Sequence, residues 1–196
     1  MTRCDKCGQS ISWLGPYGWP KLEGDLPSIP DLPGVYLQTV EYQNGYLIYL
    51  AGFTRRPMPK RFREHTRAYM NGVYNVLDIA EMQKGKRKEV WHGFWTKKRS
   101  PRKQAEYDER QLLIHDAVRK QLAGFCVFAA NIGTKPRILE RLEAAIMANL
   151  YEQPTPFCDI PDTGMMLAPR RKSELPIVVK NECSVKLHGL PLQLEI

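Results

Sequence analysis

Arg61 and His65 lie four residues apart in a stretch of helical periodicity, so they project from adjacent turns of one side. An arginine is always charged and forks onto phosphate oxygens, whereas a histidine moves a proton near neutral pH. Much later in the chain, Glu143 sits at the edge of an apolar stripe formed by Leu139, Leu142, Ile146 and Leu150. A carboxylate in that position needs a partner or a metal, because burying an unpaired charge is costly. Two phenols, Tyr36 and Tyr49, flank a turn signal at Asn44-Gly45. Each feature also has a plainer reading: a solvated helix face with one core-edge histidine, a surface glutamate, and tyrosines packed on a hairpin.

The elements that would carry these side chains follow from pattern. Asn44-Gly45 between two β-rich runs predicts a hairpin with strands at about 34–43 and 46–53. With that turn as the register, Val40 faces Tyr49, Gln38 faces Ala51 and Tyr36 faces Phe53, which puts Tyr36 and Tyr49 on one sheet face. A helix follows with Pro in its first turn, Met58, Phe62, His65 and Tyr69 on one face, and Asn71-Gly72 as its stop. The stretch 73–96 reads as a second hairpin turning near Lys84-Gly85. A helix over about 102–121, a short buried strand in FCVFAANI, and a helix from Pro136 closed by Pro154 complete the middle of the chain. The Pro-punctuated tail holds one or two short strands, IVVK and SVKLHGL. The segment before residue 33, rich in Gly and Pro, reads as an irregular arm.

Taken together, these residues resemble the GIY-YIG nuclease family. Gly34-Val35-Tyr36, after Leu32-Pro33, is similar to its first signature, and Tyr49-Leu50-Ala51-Gly52 is similar to the second with one extra residue. Arg61 followed by His65 resembles the family's Arg-x-x-x-His, and Glu143-Ala-Ala-Ile-Met its Glu-x-x-Leu-Ile. The resemblance covers roughly 32–72 and 124–153, around a long insertion. It implies a metal-dependent endonuclease hydrolysing DNA phosphodiester bonds, with Mg²⁺ (or Mn²⁺) held by Glu143 and water. Arg61 would then neutralise charge on the phosphate, and Tyr36 would be the general base, with Tyr49 or His65 relaying or holding the water. The chain departs from the pattern in two places. Phe53 and Thr54 stand where the family often has Lys, and the stretch Pro154–Asp159 lacks the usual Asn. Those departures carry the alternative, a nucleic-acid-binding module that keeps the fold but not the catalysis.

The fold expected on this reading is α+β, a small, mainly antiparallel three-stranded sheet flanked by helices. An arm over 1–32 would precede a nuclease-like domain over 33–153, with a basic hairpin inserted at about 73–103 and a β-rich tail over 154–196 packed on it. The formal net charge of +8 favours a polyanionic partner. Candidate contacts are Arg55 and Arg56 after the first hairpin and Lys86, Arg87, Lys88, Lys97, Lys98 and Arg99 in the basic run 84–104. The aromatics of that run, Trp91, Phe94 and Trp95, read as core rather than as a base-stacking surface. DNA is the expected partner, with RNA left open and no membrane, since no apolar run nears the roughly 18 residues a span needs. Five cysteines and no apolar leader point to a reducing cytoplasm. Cys4 and Cys7 have half the spacing of a zinc site, and zinc there is the lesser reading.

Overall fold

The computed structural model describes residues 9–21, 24–96 and 99–196. Cys4, Cys7, Lys97 and Lys98 lie outside the described residues. The elements are β1 (Gln9–Gly18), β2 (Gly34–Tyr42), β3 (Gly45–Thr54), α1 (Met58–Met70), β4 (Val76–Leu77), α2 (Ile79–Met82), β5 (Glu89–Trp91), α3 (Pro101–Gly124), β6 (Phe125–Ala130), α4 (Pro136–Glu152), β7 (Val178–Cys183), β8 (Lys186–His188) and β9 (Gln193–Glu195). No helix among the described residues is long and apolar enough to cross a membrane.

The expected three-stranded sheet is not what the chain builds. Its framework is a mixed seven-stranded sheet, curled as a half-barrel, in the order β8-β3-β2-β6-β1-β7-β9. The strands read from sequence, β3, β2 and β6, occupy its middle and pair antiparallel. The segment expected to be an irregular arm supplies β1, which pairs with β6 and β7. Its Ile11 and Trp13 alternate into the core, but Gly15 and Pro16 interrupt that pattern, and the strand passes them with a register shift between Leu14 and Tyr17. The tail adds β7 and β8 through parallel pairings with β1 and β3. Such pairings join segments distant in sequence, so no local turn announces them. Arm, middle and tail therefore share one sheet. The insertion carries a short antiparallel pair, β4 and β5, with α2 between them.

The sheet separates two cores. On one side Tyr36, Val40, Leu47, Tyr49, Phe125 and Val127 meet Met58, Phe62 and Tyr69 of α1 and Ile114, Val118 and Leu122 of α3. On the other, Val35, Leu37, Ile48, Ala51 and Phe128 meet Leu139, Leu142, Ile146, Met147 and Leu150 of α4. Helices α1, α3 and α4 start where the sequence predicts, α3 with Ser100 accepting from the Lys103 backbone N–H and Pro101 in its first turn, whereas α2 falls in a stretch expected to be part of a hairpin.

The hairpin register differs from expectation. Tyr42 pairs with Gly45 and Tyr36 with Gly52, so the turn residues are Gln43 and Asn44, with Gln43 at φ 49°. A shift between Gln38 and Thr39 leaves Tyr49 as an extra β3 residue, a β-bulge. Tyr36 and Tyr49 still share a face, because the bulge puts Tyr49 and Leu50 on the same side. The bulge thus absorbs the extra residue of Tyr49-Leu50-Ala51-Gly52 and returns Gly52 to the face of Tyr49. Gly45 serves close approach rather than the turn: a Cβ there would run into the Lys186 carbonyl of β8. Gly45→Ala is expected to lower stability by about 1–3 kcal/mol, read as a lower urea midpoint. An unchanged midpoint would mean that β8 is free to move away from β3.

Candidate active site

A cleft of 990 Å³ opens beside β3, and Tyr36, Arg61, His65 and Glu143 all line it. They come from three elements on both sides of the sheet. Beyond Leu47, the outer edge of β3 has no strand partner among the described residues, since β8 pairs only with Gly45, Tyr46 and Leu47. At that edge the Ala51 backbone N–H donates to the Met147 sulfur of α4 at 3.1 Å. Glu143 lies one turn before Met147 on the same side of α4, so this contact carries Glu143 to the sheet edge. Arg61 reaches the cleft from α1 on the opposite face.

Tyr36 is almost wholly buried, and its ring lies over its cross-strand partner Gly52. A Cβ on Gly52 would sit 2.5 Å from the Tyr36 hydroxyl, so glycine here makes room for the phenol. The hydroxyl pairs with His65 Nε2 at 2.7 Å. Burial pushes the Tyr36 hydroxyl up to about 12, partly offset by the Arg61 guanidinium beside it. Burial, with Arg61 adding to it, pulls His65 down to about 3. At neutral pH the pair is therefore a protonated phenol against a neutral imidazole. Arg61 also stands 3.6 Å from Glu64, and its buried Nε has no hydrogen-bond partner.

Tyr49 does not reach the cleft. It is fully buried behind it, and its hydroxyl donates to Asp162 Oδ2. Asp162 is the site residue that the sequence hid. It lies in the tail, yet it accepts from Asn75 Nδ2 at 2.7 Å and from Arg87 Nη2 at 2.8 Å. Nothing local in a Pro-Asp-Thr-Gly turn foretells such a partner set. Arg87, expected at a nucleic-acid surface, is instead turned inward to neutralise this carboxylate and to donate to the Ile160 carbonyl at 2.8 Å.

No protein-family model, curated protein or solved structure matches this chain.

The other predicted cations divide. Arg55 and Arg56 line a second cleft, of 480 Å³, together with Phe53, Thr54, Arg61 and Glu143. The two clefts thus meet at Arg61 and Glu143. Arg56 is paired with Glu64 at 2.8 Å, Lys88 with Asp78 at 3.0 Å, and Lys86 is exposed. Arg99 is held 4.3 Å over the Phe94 ring and donates to the Asn71 carbonyl. Trp91 and Phe94 are core, as expected, but Trp95 is 42 % exposed and lines the larger cleft.

Glu143 is the group to which a divalent cation fits. Among the described residues no donor hydrogen-bonds to its carboxylate, and burial raises it to about 7 against the pull of Arg61. An unpaired carboxylate facing a polar cleft suits Mg²⁺, which takes one or two carboxylates and completes its shell with water and phosphate. No cluster of three His, Cys, Asp or Glu is found among the described residues, so the ion would rest on Glu143 alone.

The raised Glu143 value has a consequence for stability. Between pH 4.5 and about 7 the folded protein holds a proton there that the unfolded chain has released, so stability falls as pH rises through that window. His65 acts oppositely, adding stability as pH rises from about 3 to 6.5. Comparing wild type with Glu143→Gln in metal-free buffer isolates the first effect. The variant should gain on wild type progressively from pH 4.5 to about 7 and hold a constant lead above it, measured by urea midpoints. Parallel pH–stability curves would contradict this assignment.

Proposed function

We propose that the protein is a metal-dependent endonuclease that hydrolyses phosphodiester bonds in DNA, with the junction of the two clefts as its reactive centre. The observation that carries this reading is the meeting of Tyr36, Arg61, His65 and Glu143 at one solvent-reachable place, from both faces of the sheet. The resemblance of the same four residues to the GIY-YIG nuclease motifs supports it.

Arg61 meets the non-bridging phosphate oxygens, where its charge opposes the negative charge that builds as water attacks. Glu143 would hold Mg²⁺ or Mn²⁺, which when bound would supply Lewis-acid polarisation of the phosphate. Tyr36 is not a phenolate at neutral pH, so its part is a relay. It accepts a proton from the attacking water as its own hydroxyl proton passes to His65 Nε2. The water oxygen bonds to phosphorus, the bond to the leaving strand breaks, its oxygen takes a proton from solvent water, and His65 returns its proton to solvent. A bound phosphate favours protonated His65 by bringing negative charge close to it. Tyr49 anchors the Asp162 network behind the site rather than touching substrate. Arg55, Arg56 and Lys86 contribute the salt-sensitive attraction for the backbone. The cytoplasm, reducing and rich in nucleic acid, is the compartment this reading implies.

Cleavage and gel-shift affinity on one DNA test this. Glu143→Gln should lower turnover by about 100-fold or more while binding survives, and EDTA should do the same to wild type. Arg61→Ala should weaken both, because its cation meets phosphate in ground and transition states alike. Cleavage by Glu143→Gln at the wild-type rate would contradict the metal role. Tight binding by a wild type that never cuts would favour a non-catalytic nucleic-acid-binding module.

A further inference from the structure

Three of the four tryptophans are interior, Trp13, Trp19 and Trp91 at 2–3 % exposure, but Trp95 presents its indole to the larger cleft. It is held there deliberately rather than left loose. Its backbone takes φ 54°, the left-handed region that a residue with a Cβ rarely adopts. The Trp95 N–H donates to the Val73 carbonyl at 3.0 Å, and Nε1 donates to Asn75 Oδ1 at 3.0 Å. Asn75 is itself fixed by its bond to Asp162. A row of rings leads from the proposed reactive centre to this indole: Tyr36 to His65 at 5.9 Å, His65 to Tyr74 at 5.7 Å, and Tyr74 to Trp95 at 5.4 Å. Trp95 is thus within a few nucleotides of Arg61.

The two clefts differ in chemistry. The smaller holds three arginines against one carboxylate, which suits phosphates. The larger shares Arg61 and Glu143 with it and adds aromatic rings, Met165 and Met166, the carboxylates Glu89 and Asp159, and Arg87, which is already paired with Glu89 and Asp162. Carboxylates repel a phosphate, whereas an aromatic face stacks on any base. A continuous duplex keeps its bases stacked inside and can offer none of them to this wall.

We infer that the substrate is a nucleic acid with an unpaired segment, whose backbone follows the arginine-lined cleft while an unstacked base lies on the indole of Trp95. This rests on the nucleic-acid reading of the cleft and names the substrate class within it.

Binding of a short oligothymidylate and of a blunt duplex of equal length, measured in EDTA so that nothing is cut, separates the possibilities. Oligothymidylate should quench the tryptophan emission and shield it from iodide, since Trp95 is the exposed indole among those described. Trp95→Ala should weaken oligothymidylate binding by about tenfold or more and leave duplex binding unchanged. Trp95→Phe loses the same bond to Asn75 but keeps a ring, so it should retain most of the affinity, with circular dichroism and urea midpoints reporting the fold of both variants. Equal oligothymidylate affinity for wild type and Trp95→Ala overturns the inference and leaves the nuclease reading standing. So does an equal loss on single strand and duplex. If wild type binds neither probe, both readings fall together.

Discussion

The outer edge of β3 is the constraint on which the site depends. A strand edge exposes backbone groups that must find partners, and here β8 covers only its first three residues. Further along, the Ala51 N–H turns to the Met147 sulfur instead of to another strand. Because α4 rather than a strand closes this part of the edge, Glu143 comes alongside a side chain from the opposite face of the sheet. Had β8 continued to Thr54, a strand would stand between Arg61 and Glu143. The same edge explains Gly52, whose missing side chain leaves the space that the Tyr36 ring fills.

Electrostatic pairing then decides which charges remain available. Asp162 holds Tyr49 and Asn75 in place, but as a buried carboxylate it requires Arg87, and so one arginine of the basic run is withdrawn from the surface. Arg61 has the longer contact with Glu64 and stands beside the Tyr36 hydroxyl, and no donor hydrogen-bonds to Glu143 among the described residues. Arg61 and Glu143 are the two residues that line both clefts. Tyr36, His65 and Glu143, each shifted by burial, are among the groups that line the larger cleft.

Much of the site was legible from local pattern. The spacing of Met58, Phe62, His65 and Tyr69 placed His65 on the buried face of α1, and the stripe of α4 placed Glu143 at its margin. The shared face of Tyr36 and Tyr49 was also expected, though for a different reason. The sequence suggested a turn at Asn44-Gly45, whereas the chain turns at Gln43-Asn44 and corrects the phase with a bulge at Tyr49. What stayed hidden was non-local. β1 crosses a Gly-Pro step that reads as a break, β7 and β8 pair in parallel with strands far away in sequence, and Asp162 reaches the site from an irregular tail. Trp95 was hidden for another reason, because its exposure depends on a backbone angle that its residue type does not signal.

Glu143 and Arg61 are proposed to form together a cation- and phosphate-binding centre at the β3 edge. Manganese(II), which substitutes for magnesium and broadens nearby nuclear resonances, tests it without reference to activity. Saturating manganese should broaden the signals of Glu143, Arg61, Gly52 and Phe53 first, and Glu143→Gln should abolish that pattern. Broadening centred elsewhere, or unchanged in the variant, would contradict the account.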